Sequence, residues 1–162
     1  MSSAAMDSRQ EEHSARRRAP VLWALLALFA LRVTGQALVA FLGVPWLPPM
    51  REWYSGLLPY PYLLPSQILI ILLLGAVCRD FTRGHGWFVT PRAGWGRWVP
   101  WLGVAYFAAM VVRYAVQMTL HPGSRWLHGS IPIIFHCVLA AFVIIVGQHH
   151  RSHPWLMKGA AA

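Results

Sequence analysis

The chain has 162 residues, of which 57% are hydrophobic and 12% are charged, and its mean hydropathy is +0.46. Soluble domains usually contain about 45–50% apolar and about 25% charged residues, and the apolar excess here lies in blocks. This pattern argues against a soluble domain and predicts one membrane domain. The net charge is +9, but the arginines flank apolar runs instead of clustering on a soluble face, which argues against a nucleic-acid partner.

The first apolar run follows a basic N-terminal segment. Residues 1–19 are polar and end in the arginine run 16–18, so they predict a disordered basic cytoplasmic tail. The apolar run 21–44 has 24 residues, and a spanning helix needs about 20. A signal peptide cleaved near the small residues at 35–37 is the alternative. The run continues past that point, which favours a retained helix.

Three further apolar runs predict spanning helices at 61–78, 99–118 and 131–147. The proline-rich segment that begins at Pro45 predicts an irregular loop at the membrane interface, because its prolines interrupt a helix. The sequence thus predicts an all-α membrane protein, a bundle of four transmembrane helices over residues 20–148. Residues 149–162 predict a short cytoplasmic tail.

The basic residues predict the orientation of this bundle. Lys and Arg are concentrated in both terminal segments and in the loop between the second and third spans, whereas the other two loops carry Arg51 and Arg125 alone. Short loops rich in Lys and Arg stay in the cytoplasm. We therefore expect a multi-pass protein of the cytoplasmic (plasma) membrane, with both termini inside.

Two hairpins share a pattern that predicts an internal repeat. The first contains Arg32-x-x-x-Gln36 and then Trp53-x-x-Gly56-x-x-Pro59. The second contains Arg113-x-x-x-Gln117 and then Trp126-x-x-Gly129-x-x-Pro132. Both hairpins start inside, so a duplication would be parallel, with its axis along the membrane normal.

Arg32 is the polar residue that a membrane tolerates least. It lies about 16 Å from either end of the first run, and an arginine at the bilayer centre costs about 2.5–3.5 kcal/mol on translocon scales. None of the predicted spans contains an acid, since the five acids are Asp7, Glu11, Glu12, Glu52 and Asp80. Arg32 must therefore meet an amide, a backbone carbonyl, water or a ligand.

Polar residues of the four spans lie in or just below their outer halves, beside aromatic residues of the outer loops. Together they are the candidate ligand-binding residues Arg32, Gln36, Gln67, Arg113, Gln117, His136, Glu52, Trp53, Tyr54 and Trp126. Glu52 is the expected counter-ion of Arg113. The leading hypothesis is an outward-facing polar pocket that binds a lipid-like or quinone-like ligand with an anionic or carbonyl head.

Three alternatives stay open. The same glutamines and histidine would serve a hydrogen-bonded network that only fixes helix packing. A membrane-embedded redox or lipid-modifying enzyme would use His136, although the absence of a carboxylate pair, P-loop and nucleophile elbow in the sequence argues against an enzyme. An accessory subunit would bring Arg32 to an acid on a partner membrane subunit.

No motif assigns a cofactor or a metal ion, and haem and quinone are the groups considered. Haem between helices usually takes two histidines at matched depth, and His136 is the one histidine within a predicted span. A homo-oligomer that shares haem between two copies stays an alternative. The tract His149-His150-x-x-His153 predicts a solvated tail, because no cysteine or acid lies beside it.

Overall fold

The structure is a computed structural model that describes residues 3–53, 59–120 and 130–151. All regular structure in these ranges is helical. The helices are α1 (Ser3–Leu42), α2 (Met50–Trp53), α3 (Tyr60–Arg83), α4 (Ala93–Leu120) and α5 (Ile131–Arg151). Tyr54 and Trp126 lie outside the described residues.

Four of these helices are long and apolar enough to cross a membrane: Arg9–Leu42, Tyr60–Arg83, Gly94–Leu120 and Ile131–Arg151. Many of their large apolar side chains are exposed on the outside of the chain, among them Leu31, Leu69, Trp101 and Val112. Monomeric soluble proteins rarely expose apolar surface of this extent. The prediction of four spanning-length apolar helices is confirmed, and these helices suggest a multi-pass membrane protein.

The four long helices pack in the order α3, α1, α5, α4. Helix α1 packs against α3, α4 packs against α5, and the two hairpins meet through α1 and α5. In the described ranges, α3 and α4 do not pack along each other. The short α2 lies against α1 and α5. The internal repeat stays a prediction.

The two ends of the bundle differ in the elements they contain. At the α2 end, α1 and α4 finish, α3 and α5 begin, and α2 lies against α1 and α5. At the terminal end, α1 begins and α5 finishes. The apolar core lies toward the terminal end and consists of Ala15, Ala19, Leu22, Leu26, Val77, Cys78, Phe81, Val89, Phe142 and Val146.

Helix α1 begins at Ser3, far before the predicted span, which corrects the expectation of a disordered tail for residues 3–19. Ala15 and Ala19 are one turn apart on one face, and both are buried in the core. Arg16 pairs with Glu12 along the helix and donates to the backbone carbonyl of Arg83, 3.1 Å away. Packing and this contact with α3 therefore extend the helix into a charged sequence.

The connection between α3 and α4 folds back onto the terminal end of the bundle. Gly84 ends α3 in the left-handed conformation, with φ of 76°. The Asp80 carboxylate accepts a hydrogen bond from the backbone N–H of Phe88 at 3.4 Å. It also lies so close to Gly86 that a Cβ there would be 2.4 Å from its Cγ. The loop is thus tied to the last turn of α3.

His149 and His150 are fully buried at the end of α5, which corrects the expectation of a solvated histidine tract. His149 donates from Nε2 to the carbonyl of Val89, 2.9 Å away, and its ring contacts Phe81 edge-on. The His150 ring contacts Trp95 in the same manner. Helix α5 runs past the predicted end at 147, and the loop covers its last turn. His153 lies outside the described residues.

Helices α4 and α5 approach closely along a line of glycines. A Cβ at Gly96 would lie 2.7 Å from the carbonyl oxygen of His150, and one at Gly147 would lie 2.6 Å from the nitrogen of Pro100. Small residues at helix interfaces let backbones approach in this way in membranes. The short distance between the two helices predicts which of these glycines tolerate an added methyl group.

We expect Gly96→Ala to destabilise the protein by about 1–3 kcal/mol, because the added methyl group meets backbone atoms that cannot move aside. Gly94→Ala is the matched control, since a Cβ there meets nothing within 4 Å and its effect should stay within about 0.5 kcal/mol. Thermal unfolding of the two variants in detergent measures the difference. Equal melting temperatures would contradict the close α4–α5 approach.

Candidate functional site

The Arg32 side chain is buried inside the chain at the α2 end. Only 6% of the residue is exposed, and its Nη2 donates a hydrogen bond to the backbone carbonyl of Trp53, 3.0 Å away. Within the described part of the chain, its Nε has no hydrogen-bond partner and no carboxylate pairs with the guanidinium. The guanidinium therefore points into the protein, where the neighbouring described groups do not fully satisfy its hydrogen bonds or neutralise its charge.

Helix α2 reaches Arg32 because Gly35 leaves room for it. The Trp53 ring lies on Gly35, where a Cβ would be 2.7 Å from the Cη2 atom of the indole. The indole N–H donates to the carbonyl of Pro48 at 2.8 Å. Gly35 follows Arg32 by three residues, so both face the same side of α1. Any side chain at position 35 would lift Trp53, and with it the carbonyl that Arg32 uses.

Two buried amides pair between α1 and α3. Gln67 donates from Nε2 to Oε1 of Gln36 at 3.1 Å, and the two residues are 4% and 0% exposed. Gln36 lies one turn beyond Arg32 on the same face of α1. Among the described residues, Nε2 of Gln36 and Oε1 of Gln67 have no hydrogen-bond partner. The pair thus leaves one donor and one acceptor buried.

Tyr60 on α3 and His136 on α5 also lie toward the α2 end of the bundle. The Tyr60 phenol and the His136 ring are close enough to interact electrostatically with the Arg32 guanidinium, and His136 interacts in the same way with Arg113 on α4. The Tyr60 hydroxyl is buried, with no hydrogen-bond partner in the described ranges. His136 donates from Nδ1 to the carbonyl of Pro132 at 2.5 Å, and its ring contacts Tyr106.

We call the residues with unpartnered buried atoms the Arg32 cluster: Arg32, Gln36, Tyr60 and Gln67. A buried polar group without a partner costs about 1–3 kcal/mol, so native structures rarely keep several together. Nε of Arg32 and Nε2 of Gln36 offer donors, Oε1 of Gln67 offers an acceptor, and the Tyr60 hydroxyl offers both. The arrangement is suited to a small polar group that accepts several hydrogen bonds beside a positive charge.

Several predicted site residues meet here, and others do not. The structure brings Arg32 to Trp53 and Gln36 to Gln67, and His136 lies within electrostatic range of Arg32 and Arg113. Glu52 is buried in α2, and its role as the counter-ion of Arg113 stays a prediction. Gln117 is half-buried near the end of α4.

Sequence reasoning missed Tyr60 and Gly35. The predicted span at 61–78 leaves Tyr60 out, although Pro59 before it is a signal for a helix start, and α3 begins at Tyr60. The small residue at 35 was considered only as part of a cleavage site. Its position three residues after a mid-span arginine was the signal that another element approaches there.

The histidines and acids do not form a metal site in the described residues, where no group of three or more His, Cys, Asp or Glu could hold an ion. His149 and His150 lie at the terminal end, and His136 lies near the α2 end of the same helix. Those three histidines are therefore too far apart along α5 to ligate one haem within a single chain.

Comparisons of the chain with protein-family models, with curated proteins and with solved structures found no match.

We expect Gln67→Leu alone to destabilise the protein by about 1–3 kcal/mol, because it leaves the Gln36 amide without a partner. The double variant Gln36→Leu/Gln67→Leu should recover most of this loss, because both buried amides are then gone. A thermal unfolding cycle of the two single variants and the double variant measures the coupling. Strictly additive losses would show that the two amides do not interact.

Proposed function

We propose that this protein is a multi-pass membrane protein that binds an amphiphile at the Arg32 cluster. The ligand has an anionic or carbonyl-bearing head and an apolar body, as lipids and quinones do. The observation that carries the proposal is the buried Arg32 guanidinium, whose Nε lacks a partner and which no carboxylate neutralises in the described part of the chain.

The charges around the cluster favour an anion or a carbonyl oxygen. The guanidinium groups of Arg32 and Arg113 both lie within electrostatic range of the His136 ring. A guanidinium also presents fixed hydrogen-bond donors that match the geometry of oxyanions. Hydrogen bonds to charged groups are worth about 1.5–3 kcal/mol, roughly twice those of neutral groups. A negative head would therefore satisfy the charge and the orphaned donors together.

The outside of the bundle favours an apolar body on the ligand. Exposed apolar side chains cover α3 and α4, including Leu69 and Leu72 on α3 and Val112 on α4. These two helices do not pack along each other in the described ranges, which leaves that side of the bundle open to hydrocarbon. An acyl or isoprenoid chain could stay in the bilayer while its head reaches the cluster.

Ligand binding requires a local rearrangement. The unpartnered atoms of the Arg32 cluster are covered by protein, and Trp53 rests directly on Gly35. The head must therefore displace part of this cover. Helix α2 is one turn long, so it is the element that moves with the smallest loss of packing.

His136 favours a second candidate function, a membrane-embedded redox or lipid-modifying enzyme. Its Nδ1–H is donated to the carbonyl of Pro132, so Nε2 carries the lone pair. A histidine with this tautomer can accept a proton from a bound hydroxyl. The accessory-subunit hypothesis has less support, because Arg32 is 6% exposed and already donates to a carbonyl of its own chain.

Arg32→Gln should lose binding of an added anionic lipid by roughly tenfold or more, since it removes a charged donor. Arg17→Gln is the matched control, because Arg17 is exposed on the same helix and the charge change is identical. Native mass spectrometry in mild detergent, with the melting temperature as a second readout, measures both. Equal lipid retention in wild type and Arg32→Gln would refute the proposal.

The proposed orientation places the α2 end outside the cytoplasmic membrane. The terminal end carries the exposed arginines Arg9, Arg16, Arg17, Arg79, Arg83, Arg97 and Arg151. The two loops at the α2 end carry Arg51 and Arg125 only. The positive-inside rule then puts both termini in the cytoplasm.

Impermeant maleimide labelling tests this orientation in a chain with Cys78→Ala and Cys137→Ala. A cysteine in place of the exposed Trp46 (Trp46→Cys) should be labelled in intact cells. Arg9→Cys, at the terminal end, should be labelled only after the cells are opened. The reverse pattern would overturn the orientation. It would not bear on the binding proposal, which the Arg32→Gln variant tests.

A further inference from the structure

We infer that the head of the ligand both accepts and donates hydrogen bonds: an anionic head that also carries a hydroxyl group. This inference rests on the proposed function and narrows its ligand class. A phosphodiester with a polyol head has this chemistry, whereas a fatty acid anion, a methylated phosphodiester or an oxidised quinone can only accept. The amide pair at Gln36 and Gln67 makes the distinction.

The amide pair presents one unpartnered NH2 group and one unpartnered carbonyl oxygen whichever way its amides are oriented. Gln67 Nε2 donates to Gln36 Oε1, which leaves Gln36 Nε2 and Gln67 Oε1 buried without partners among the described residues. Turning both amides over reverses the bond and again leaves one N–H group and one carbonyl. A ligand that satisfies the pair must therefore donate one hydrogen bond and accept another.

Arg32 does not supply this donor in the structure. Its Nη2 donates to the carbonyl of Trp53, and Oε1 of Gln67 has no hydrogen-bond partner among the described residues. A head that only accepts would place its oxygens against the Gln67 carbonyl and leave it unpaired. Sites built around buried hydrogen-bonding groups discriminate strongly against ligands that lack the matching group.

The spacing along α1 places the two requirements in the order of a lipid head. Gln36 is one turn beyond Arg32 toward the α2 end, about 6 Å away on the same face. An anionic phosphate at Arg32 would thus have its hydroxyl-bearing group at the amides, farther from the middle of the helix.

Phosphatidylglycerol and phosphatidylmethanol test the inference, because they carry the same charge and differ in the hydroxyl groups of the head. Short-chain forms of each are titrated into the purified full-length protein, with phosphatidylcholine as the neutral-head control. Native mass spectrometry measures the bound fraction. We expect wild type to bind phosphatidylglycerol roughly tenfold more tightly than phosphatidylmethanol, the effect of one buried hydrogen bond.

Variants distinguish a failure of this inference from a failure of the proposed function. Gln36→Leu/Gln67→Leu should reduce the preference to near unity while it retains Arg32-dependent binding of both lipids, and Arg17→Gln should leave the preference unchanged. Equal binding of the two anionic lipids by wild type, still lost in Arg32→Gln, would overturn this inference and leave the proposed function intact. Binding that ignores Arg32→Gln would overturn the proposed function, and the inference with it.

Discussion

The structure depends on how the Arg32 charge is accommodated in the middle of an apolar helix. A guanidinium on the lipid-facing side would be costly, and α1 instead turns it inward toward α2. The Trp53 carbonyl then accepts a hydrogen bond from it, and the bare backbone at Gly35 lets the indole settle on the helix. One charge thus orients α1 and sets where the irregular segment before α3 must fold.

The two ends of the bundle differ in what fills their interior. Toward the terminal end, Leu22, Phe81 and Phe142 form an apolar core with the loop packed on it. Toward the α2 end, the interior holds a guanidinium and two amides. Lipid tails are as apolar as a core, so burying more apolar side chains would add little in a membrane, and polar contacts decide how helices associate. The Arg32 cluster has more hydrogen-bonding capacity than those contacts use, which is the reason to consider a ligand.

The helices and half of the cluster were predictable from local pattern. Apolar runs of sufficient length predict four helices wherever they occur, and a four-residue spacing puts Arg32 and Gln36 on one face of α1 without further information. Tyr60 and Gly35 were not predictable in this way, because their roles depend on how α2 and α3 return to α1.

The sequence by itself determined the helical class, the number of apolar helices and the face of α1 that carries Arg32, because these follow from residue spacing along one helix. Only the tertiary structure decided that residues 9–19 continue α1 and that His149 and His150 are buried. Their sequence is polar, and whether polar residues are solvated or enclosed depends on which element packs over them. Here the loop after α3 packs over the histidines, and the buried face at Ala15 and Ala19 holds the start of α1 against the core.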